Sequence, residues 1–281
     1  MSDISGTIRS SPAAFATADS TERFTVLRIS GEGRKETEMA VAREFPLTII
    51  LNGEELVTLL CSPQHMKYLA VGFLASEGLI SGRDEIKNVL VDEQRGVARV
   101  ETVPTQKSAQ ELIFKRIISS GCGRGASFYS MADVSGQKVE SPMTMSAEAI
   151  FALVNKFQHS SGLYLATHGV HSAALCDGEN ILVFNEDIGR HNAIDKIFGK
   201  CLLEGIPTAD RAIITSGRIT SEILHKVTKR GIPIIISISE PTNLGVRIAG
   251  TLGITLVASA GLKKMNIYAG GERITGGGKP A

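Results

Sequence analysis

Three short segments gather residue types suited to gripping an anion. They are Glu186-Asp187-Ile188-Gly189-Arg190-His191-Asn192, then Ser216-Gly217-Arg218, then Ser239-Glu240-Pro241-Thr242-Asn243. Each follows an apolar, strand-like run and leads into a helix-like one. A helix N-terminus leaves backbone N–H groups without intrahelical partners, and its dipole favours negative charge. Gly189 and Gly217 permit close backbone approach, while Arg190 and Arg218 can hold a phosphate through paired N–H···O bonds. His191 can contact the same phosphate or act as acid or base. Any one loop reads equally well as ordinary capping and ion pairing; three together point to a phosphate-bearing ligand. The pattern matches neither a Walker loop nor the dinucleotide fingerprint. Asp187 and Asp195 read as groups that orient these cations, and Lys196 as a side chain covering the helix surface.

Sulfur offers a second chemistry. The four cysteines, Cys61, Cys122, Cys176 and Cys201, form no CxxC or other close pair, which suits neither a disulfide framework nor a structural zinc site. Cys122 lies in Ser119-Ser120-Gly121-Cys122-Gly123-Arg124-Gly125, where Arg124 can stabilise a thiolate. Such a thiolate can attack a sulfane sulfur and hold it as a persulfide. The competing reading is a small residue filling a tight turn. Cys176 ends an apolar strand and Cys201 lies on an apolar helix face, so both read as core. Cys61, just ahead of a helix and with no cation or base nearby in sequence, reads as structural. His168 and His171 form an HxxH without an adjacent third ligand, and no metal site is assigned to them.

These residues need a scaffold, and the patterning supplies one. Strands are expected at 23–29 and 45–51, the second closed by the hairpin turn Asn52-Gly53. Ser62 is placed as N-cap and Pro63 at the first turn of a helix over 64–77, stopped by Gly78. A hairpin over 86–103 turns at 93–96, a strand over 110–118 enters the Cys122 loop, and 130–145 is irregular. Ser146 opens a helix with Ile150, Leu153, Val154 and Phe157 at helical spacing. Strands at 171–176, 181–185, 211–215, 232–238 and 254–258 then alternate with helices at 190–203, 220–229 and 243–251. That alternation implies a sheet covered on both faces with some parallel pairing, and IPIIISI at 232–238 reads as its central strand. One structural unit is expected: a leader over 1–22, a β-rich part over 23–145, an α/β core over 146–270 and a tail over 271–281.

With 281 residues, 43% of them hydrophobic, the chain can bury a substantial core. A net charge of +1 provides no general attraction to nucleic acid or anionic membrane. No apolar run is long enough to span a bilayer, and the first residues lack the apolar region of a signal peptide. The sequence therefore reads as cytoplasmic, with neither nucleic acid binding nor membrane insertion.

Six segments, taken in order over about residues 40–270, resemble the signature stretches of the FdhD/NarQ family. They are FPLTIILNG (45–53), LAVGFLASEGLI (69–80), THGVHSAAL (167–175), EDIGRHNAIDK (186–196), SGRITSE (216–222) and ISISEPTNLG (236–245). The resemblance implies a three-layer α/β/α, cytidine-deaminase-like fold with an N-terminal β-rich extension, usually as a homodimer. It also implies a sulfurtransferase that accepts persulfide sulfur from a cysteine desulfurase on Cys122. The sulfur would pass to the molybdopterin guanine dinucleotide cofactor, carrying molybdenum or tungsten, of the formate dehydrogenase catalytic subunit. That cofactor is a bound substrate, with no permanently bound cofactor implied. The residues implied to hold it are His171, Gly189, Arg190, His191, Ser216, Gly217, Arg218, Ser239, Thr242, Ser259, Ala260, Gly261, Leu262, Lys263 and Lys264. Two features depart from the family pattern. The usual CGxCG loop appears here with one thiol, and the aromatic, Arg-containing segment appears as Ser259–Lys264, with lysines supplying positive charge. The single thiol motivates an alternative, a non-catalytic carrier that docks the cofactor into the apo-enzyme. A zinc nucleobase deaminase does not fit, because the chain lacks His-x-Glu and Pro-Cys-x-x-Cys.

Overall fold

Residues 20–103, 117–118, 126–127 and 138–277 are described by a computed structural model. A long antiparallel ribbon opens the chain, β1 (Thr21–Ser30) against β2 (Gly33–Ala42). Next come β3 (Phe45–Leu51) and β4 (Glu54–Cys61), joined at Asn52 and Gly53, whose φ values of 51° and 90° are those a two-residue hairpin turn demands. After α1 (Met66–Glu77), strands β5 (Ile86–Asp92) and β6 (Val97–Thr102) form the hairpin expected over 86–103. The sheet order is β4-β3-β6-β5, and Leu47, Ile49 and Val100 of the sheet join Leu69 and Leu74 of α1 in one buried cluster.

The start of α1 departs from the sequence expectation. It begins at Met66, after His65 in the left-handed region (φ 57°), and Ser62 does not cap it. Ser62 is instead buried and bonded to a distant segment: its N–H donates to Asp187 Oδ2 at 3.1 Å, and its Oγ accepts from Ile188 N–H at 3.1 Å. A tertiary partner has outcompeted the local cap.

The strand expected over 110–118 is described only as β7 (Ile117–Ile118), paired antiparallel with β8 (Ala126–Ser127). The leader over 1–19 and the loop bearing Cys122 and Arg124 lie outside the described residues. From Lys138 the chain runs irregularly to β9 (Met145–Ser146), as anticipated for that stretch. Helix α2 (Ala147–His159) starts where Ser146 marks it, the serine Oγ accepting from Ala149 N–H at 3.1 Å. A short helix that periodicity could not reveal, α3 (Gly162–Thr167), follows.

The second half then alternates as read: β10 (His171–Cys176), β11 (Ile181–Asp187), α4 (Arg190–Glu204), β12 (Ala212–Thr215), α5 (Ser221–Lys229), β13 (Ile234–Ser237), α6 (Asn243–Leu252) and β14 (Thr255–Ala258). The exposed edge strand β15 (Asn266–Ala269) was not anticipated, nor was β16 (Ile274–Thr275), which pairs back onto β9. The sheet order is β11-β10-β12-β13-β14-β15, with β12, β13 and β14 parallel to one another. IPIIISI accordingly supplies an interior strand, β13, buried on both faces. Ile213, Ile235 and Leu256 point towards α4, α5 and α6, whereas Ile214, Ile236 and Val257 point towards α2. This is the three-layer α/β/α arrangement, with the N-terminal β-rich part attached. Among the described residues no helix is long and apolar enough to cross a membrane.

Helices α1 and α4 join the two parts through unusually close backbone contact. A Cβ on Gly72 would sit 1.7 Å from the Asp195 carbonyl oxygen, and one on Gly199 would sit 1.9 Å from that of Tyr68. Only glycine fits at either position. Helix α4 is therefore buried on two sides, against the sheet and against α1, and among its charged residues Arg190, Asp195 and Lys196 are buried. Asp195 is one of them. It receives Ser76 Oγ at 2.6 Å and pairs with buried Lys226 at 2.6 Å, so the cation it holds is a lysine of a distant helix.

Candidate functional site

Sheet topology explains how residues far apart in sequence meet. Strands β11, β12, β13 and β14 all end at one edge of the sheet, and β10 and β15, running the other way, begin there. Residues 188–192, 216–218, 238–242 and 259–264 therefore share that edge with His171. Ligands of open α/β sheets collect outside such carboxyl ends.

At its centre lies the junction of β10 and β12. Ser216 N–H donates to Ser172 O at 3.0 Å, Ser172 N–H donates to Ser216 Oγ at 2.9 Å, and His171 Nδ1 stands 3.2 Å from the same Oγ. The adjoining Gly217 is the surface on which Arg190 rests. A Cβ there would fall 2.6 Å from Arg190 Cβ and 2.9 Å from its Cδ, so the SGR glycine is needed for close packing. Ser237 Oγ secures the Gly217 carbonyl at 2.8 Å. Arg190 is largely buried and Arg218 is exposed, and both bear on His171. Burial first, and then Arg190 and Arg218, hold the His171 pKa below the ordinary histidine value, outweighing the opposing pull of Asp187. His191 is pushed further down, to about 3, by burial and by the charges of Lys226 and Arg190, although Glu222 Oε2 stands 3.5 Å from its Nε2. Both imidazoles are thus neutral at neutral pH, beside two permanent cations.

A cavity of about 620 Å³ opens beside this junction. Its wall includes His171 and Ser216, together with Phe157, Tyr164, His168 and Ile238. The sequence reading placed the first two at the site and missed Phe157, Tyr164 and Ile238. The only sequence signal for this side was THGVH, in which His168 served merely as one half of an HxxH. His168 instead caps α3 in the left-handed region (φ 53°), its ring 5.1 Å from that of Tyr164, while His171 turns to Ser216. Among the described residues no group of three His, Cys, Asp or Glu side chains could hold a metal ion.

Backbone N–H groups contribute less than anticipated. Gly189 N–H donates to Asp187 Oδ1 at 2.9 Å, Gly217 N–H to Thr215 Oγ1 at 3.1 Å and Ser239 N–H to Ser237 Oγ at 2.9 Å. Thr242 Oγ1 caps α6 by accepting from Gly245 N–H at 3.2 Å. The chain's own oxygens have filled these positions, so charge at the edge comes chiefly from side chains.

Two further expectations are corrected here. Lys196 does not cover a surface; it is wholly buried, 2.6 Å from Asp187 Oδ2, and donates to the carbonyls of Ser62 and Glu186. Cys61, in turn, does have charged neighbours in Asp187 and Lys196. Burial, its main influence, pushes the thiol up to about 12. Cys176 and Cys201 are buried and raised to about 12 in the same way, as befits core residues. Cys122 lies outside the described residues.

The segment after β14 occupies the other end of the edge. Ser259 adopts a left-handed conformation (φ 48°), Ala260 is buried with its N–H on Ser237 O at 2.9 Å, and Gly261 N–H reaches Lys264 O at 2.9 Å. This tight turn exposes Leu262, Lys263 and Lys264, two strands beyond Ser216.

Comparison with known proteins agrees with this arrangement. Residues 42–275 match the model of the FdhD/NarQ family. The sulfur carrier protein FdhD of Bacillus pumilus is 46% identical over 236 residues, covering 84% of this chain and 90% of the relative. Its counterpart in Bacillus subtilis is 45% identical over 240 residues, covering 85% and 92%. A crystal structure assigned as a formate dehydrogenase accessory protein of Desulfotalea psychrophila superposes with a TM-score of 0.76 at 29% identity, covering 91% of this chain and 99% of that one. Sequence signatures, fold and edge geometry converge on one conclusion: the chain belongs to the FdhD/NarQ family.

Proposed function

We propose that this chain is a sulfur carrier that supports formate dehydrogenase, acting as a sulfurtransferase through Cys122. The observation that carries the reading is the convergence of His171, Arg190, Ser216, Gly217 and Arg218 on one sheet edge beside a 620 Å³ cavity. Membership in a family whose relatives are named sulfur carriers supports it. The donor is a cysteine desulfurase. The Cys122 thiolate attacks the terminal sulfur of the donor's persulfide, and the donor's S–S bond breaks. The donor cysteine leaves as thiolate and the sulfane sulfur stays on Cys122, with no net oxidation. The molybdopterin guanine dinucleotide is cargo and recipient. Arg190 and Arg218 face its phosphates, with His171 and Ser216 offering neutral hydrogen-bonding groups, and Lys263 and Lys264 add charge at the far end of the edge. A reducing thiolate then attacks the Cys122 sulfur, the persulfide S–S bond breaks, the outer sulfur leaves as sulfide to become the cofactor's terminal ligand, and Cys122 is left in a disulfide with the reductant. In this reading the chain works in the cytoplasm as a homodimer.

The test is mass spectrometry of the chain after incubation with a desulfurase and cysteine. Cys122 should gain about 32 Da, one sulfur atom, and Cys122→Ala should gain none and fail to restore formate dehydrogenase. Equal labelling of the variant overturns the assignment. If Cys122→Ala restores the dehydrogenase while Arg190→Ala and Arg218→Ala do not, the chain delivers cofactor without carrying sulfur.

A further inference from the structure

Glu240 lies between the two charged ends of the edge and is bonded to both. Its carbonyl accepts from Ile219 N–H at 3.3 Å, while Thr242 N–H returns to Ile219 O at 2.9 Å, forming a small bridge that fastens residue 240 to the loop of Arg218. Its carboxylate points the other way, accepting from Ser259 Oγ and, at 2.8 Å, from Tyr268 Oη on β15. These two hydroxyl donors hold its carboxyl below the usual carboxylate range. Ser259 needs such support. A non-glycine residue with φ 48° persists only where its surroundings impose that conformation, and its other tie is its N–H to Ser239 O at 3.1 Å. The turn that follows sets the direction of Lys263 and Lys264, both exposed.

We infer that Glu240 is a positioning residue: it holds the Ser259–Lys264 segment at a fixed distance from Arg190 and Arg218, acting through Ser259 and Tyr268 and not on the ligand. The inference rests on the reading that both ends grip one guanine nucleotide cargo. A carboxylate suits the role because it accepts two hydroxyls at once; a glutamine has one acceptor oxygen and keeps only part of the arrangement.

Titration calorimetry with guanosine diphosphate, the nucleotide end of the cargo, tests it alongside limited trypsin digestion. Glu240→Ala should weaken binding by about five- to tenfold, the worth of one ordinary hydrogen bond passed on to the ligand, and Glu240→Gln and Tyr268→Phe by about two- to threefold each. Cleavage after Lys263 and Lys264 should accelerate in Glu240→Ala, while the thermal unfolding midpoint stays at the wild-type value. A merely structural residue would move the midpoint and leave affinity alone. If Arg190→Ala loses nucleotide while Glu240→Ala binds and is cleaved like wild type, the inference fails and the function proposed above survives. If the wild-type protein binds no nucleotide, both fail together.

Discussion

Lys196 Nζ stands 2.6 Å from Asp187 Oδ2 with neither side chain reaching solvent. The carboxylate also receives the Ser62 and Gly189 N–H groups and the Asn192 amide, and the ammonium reaches the Ser62 and Glu186 carbonyls. The EDIGRHNAIDK segment is therefore a joint between the N-terminal sheet and the core, whatever else its loop does. Removing one partner strands a buried charge. Lys196→Met is expected to lower stability by about 3–5 kcal/mol, and the Asp187→Asn, Lys196→Met double variant to recover part of that loss, read from guanidinium unfolding.

His191 makes stability depend on pH. Burial, then Lys226 and Arg190, bring its pKa from 6.5 to about 3. In that interval the unfolded chain binds a proton that the native chain refuses. Stability is therefore full above the unfolded value and falls as pH drops, by up to about 1.4 kcal/mol per pH unit for one such group. His171 and His65 are shifted the same way and add to the slope. His191→Asn should flatten the fall in unfolding free energy between about pH 6.5 and pH 5, and an unchanged profile would mean that the imidazole is charged in the native state.

Gly217 tests the packing at the centre of the site. Since an added Cβ would fall 2.6 Å from Arg190 Cβ, Gly217→Ala must displace the arginine. Activation of formate dehydrogenase should drop by about tenfold or more, with an overpacking penalty of about 1–3 kcal/mol. Arg190→Lys should lose a similar share of activation with little loss of stability, because an ammonium cannot reproduce the paired contacts proposed between the guanidinium and a phosphate.

Thiol chemistry separates the four cysteines. Cys61, Cys176 and Cys201 are buried and raised to about 12, so their thiolate populations at neutral pH are negligible. Titration of the native protein with a disulfide reagent should find one fast thiol per chain, absent in Cys122→Ser, with the remaining three appearing on denaturation. More than one fast thiol in the native state would reassign the sulfur-handling residue.

Several elements were legible because their cause is local. Asn52-Gly53 meets the backbone requirement of its turn by residue type alone, and Ser146 caps the helix it precedes. Ile150, Leu153, Val154 and Phe157 recur at the helical period, and all are buried against the sheet. The unbroken apolar run of β13 indicated burial on both faces. Where a reading went astray, a distant partner or a short length was responsible. Ser62 has the right type for a cap, but Ile188 lies across the interface to claim it. Six residues of α3 are too few to show a period, and half-exposed β15 carries no clean alternation.

The sequence by itself determined the family, the alternation of strands and helices, and which loops carry arginine, histidine and glycine, because motif identity and hydrophobic period are properties of neighbouring residues. Tertiary structure decided which of those residues meet. Strand order brings the start of β10 beside the end of β12, so His171 touches Ser216 across 44 intervening residues. Docking of the Ser62 segment against the start of α4 turned Lys196 from an apparent surface residue into half of a buried ion pair. Register and burial arise from contacts between segments distant in the chain, and a linear pattern does not encode them one residue at a time.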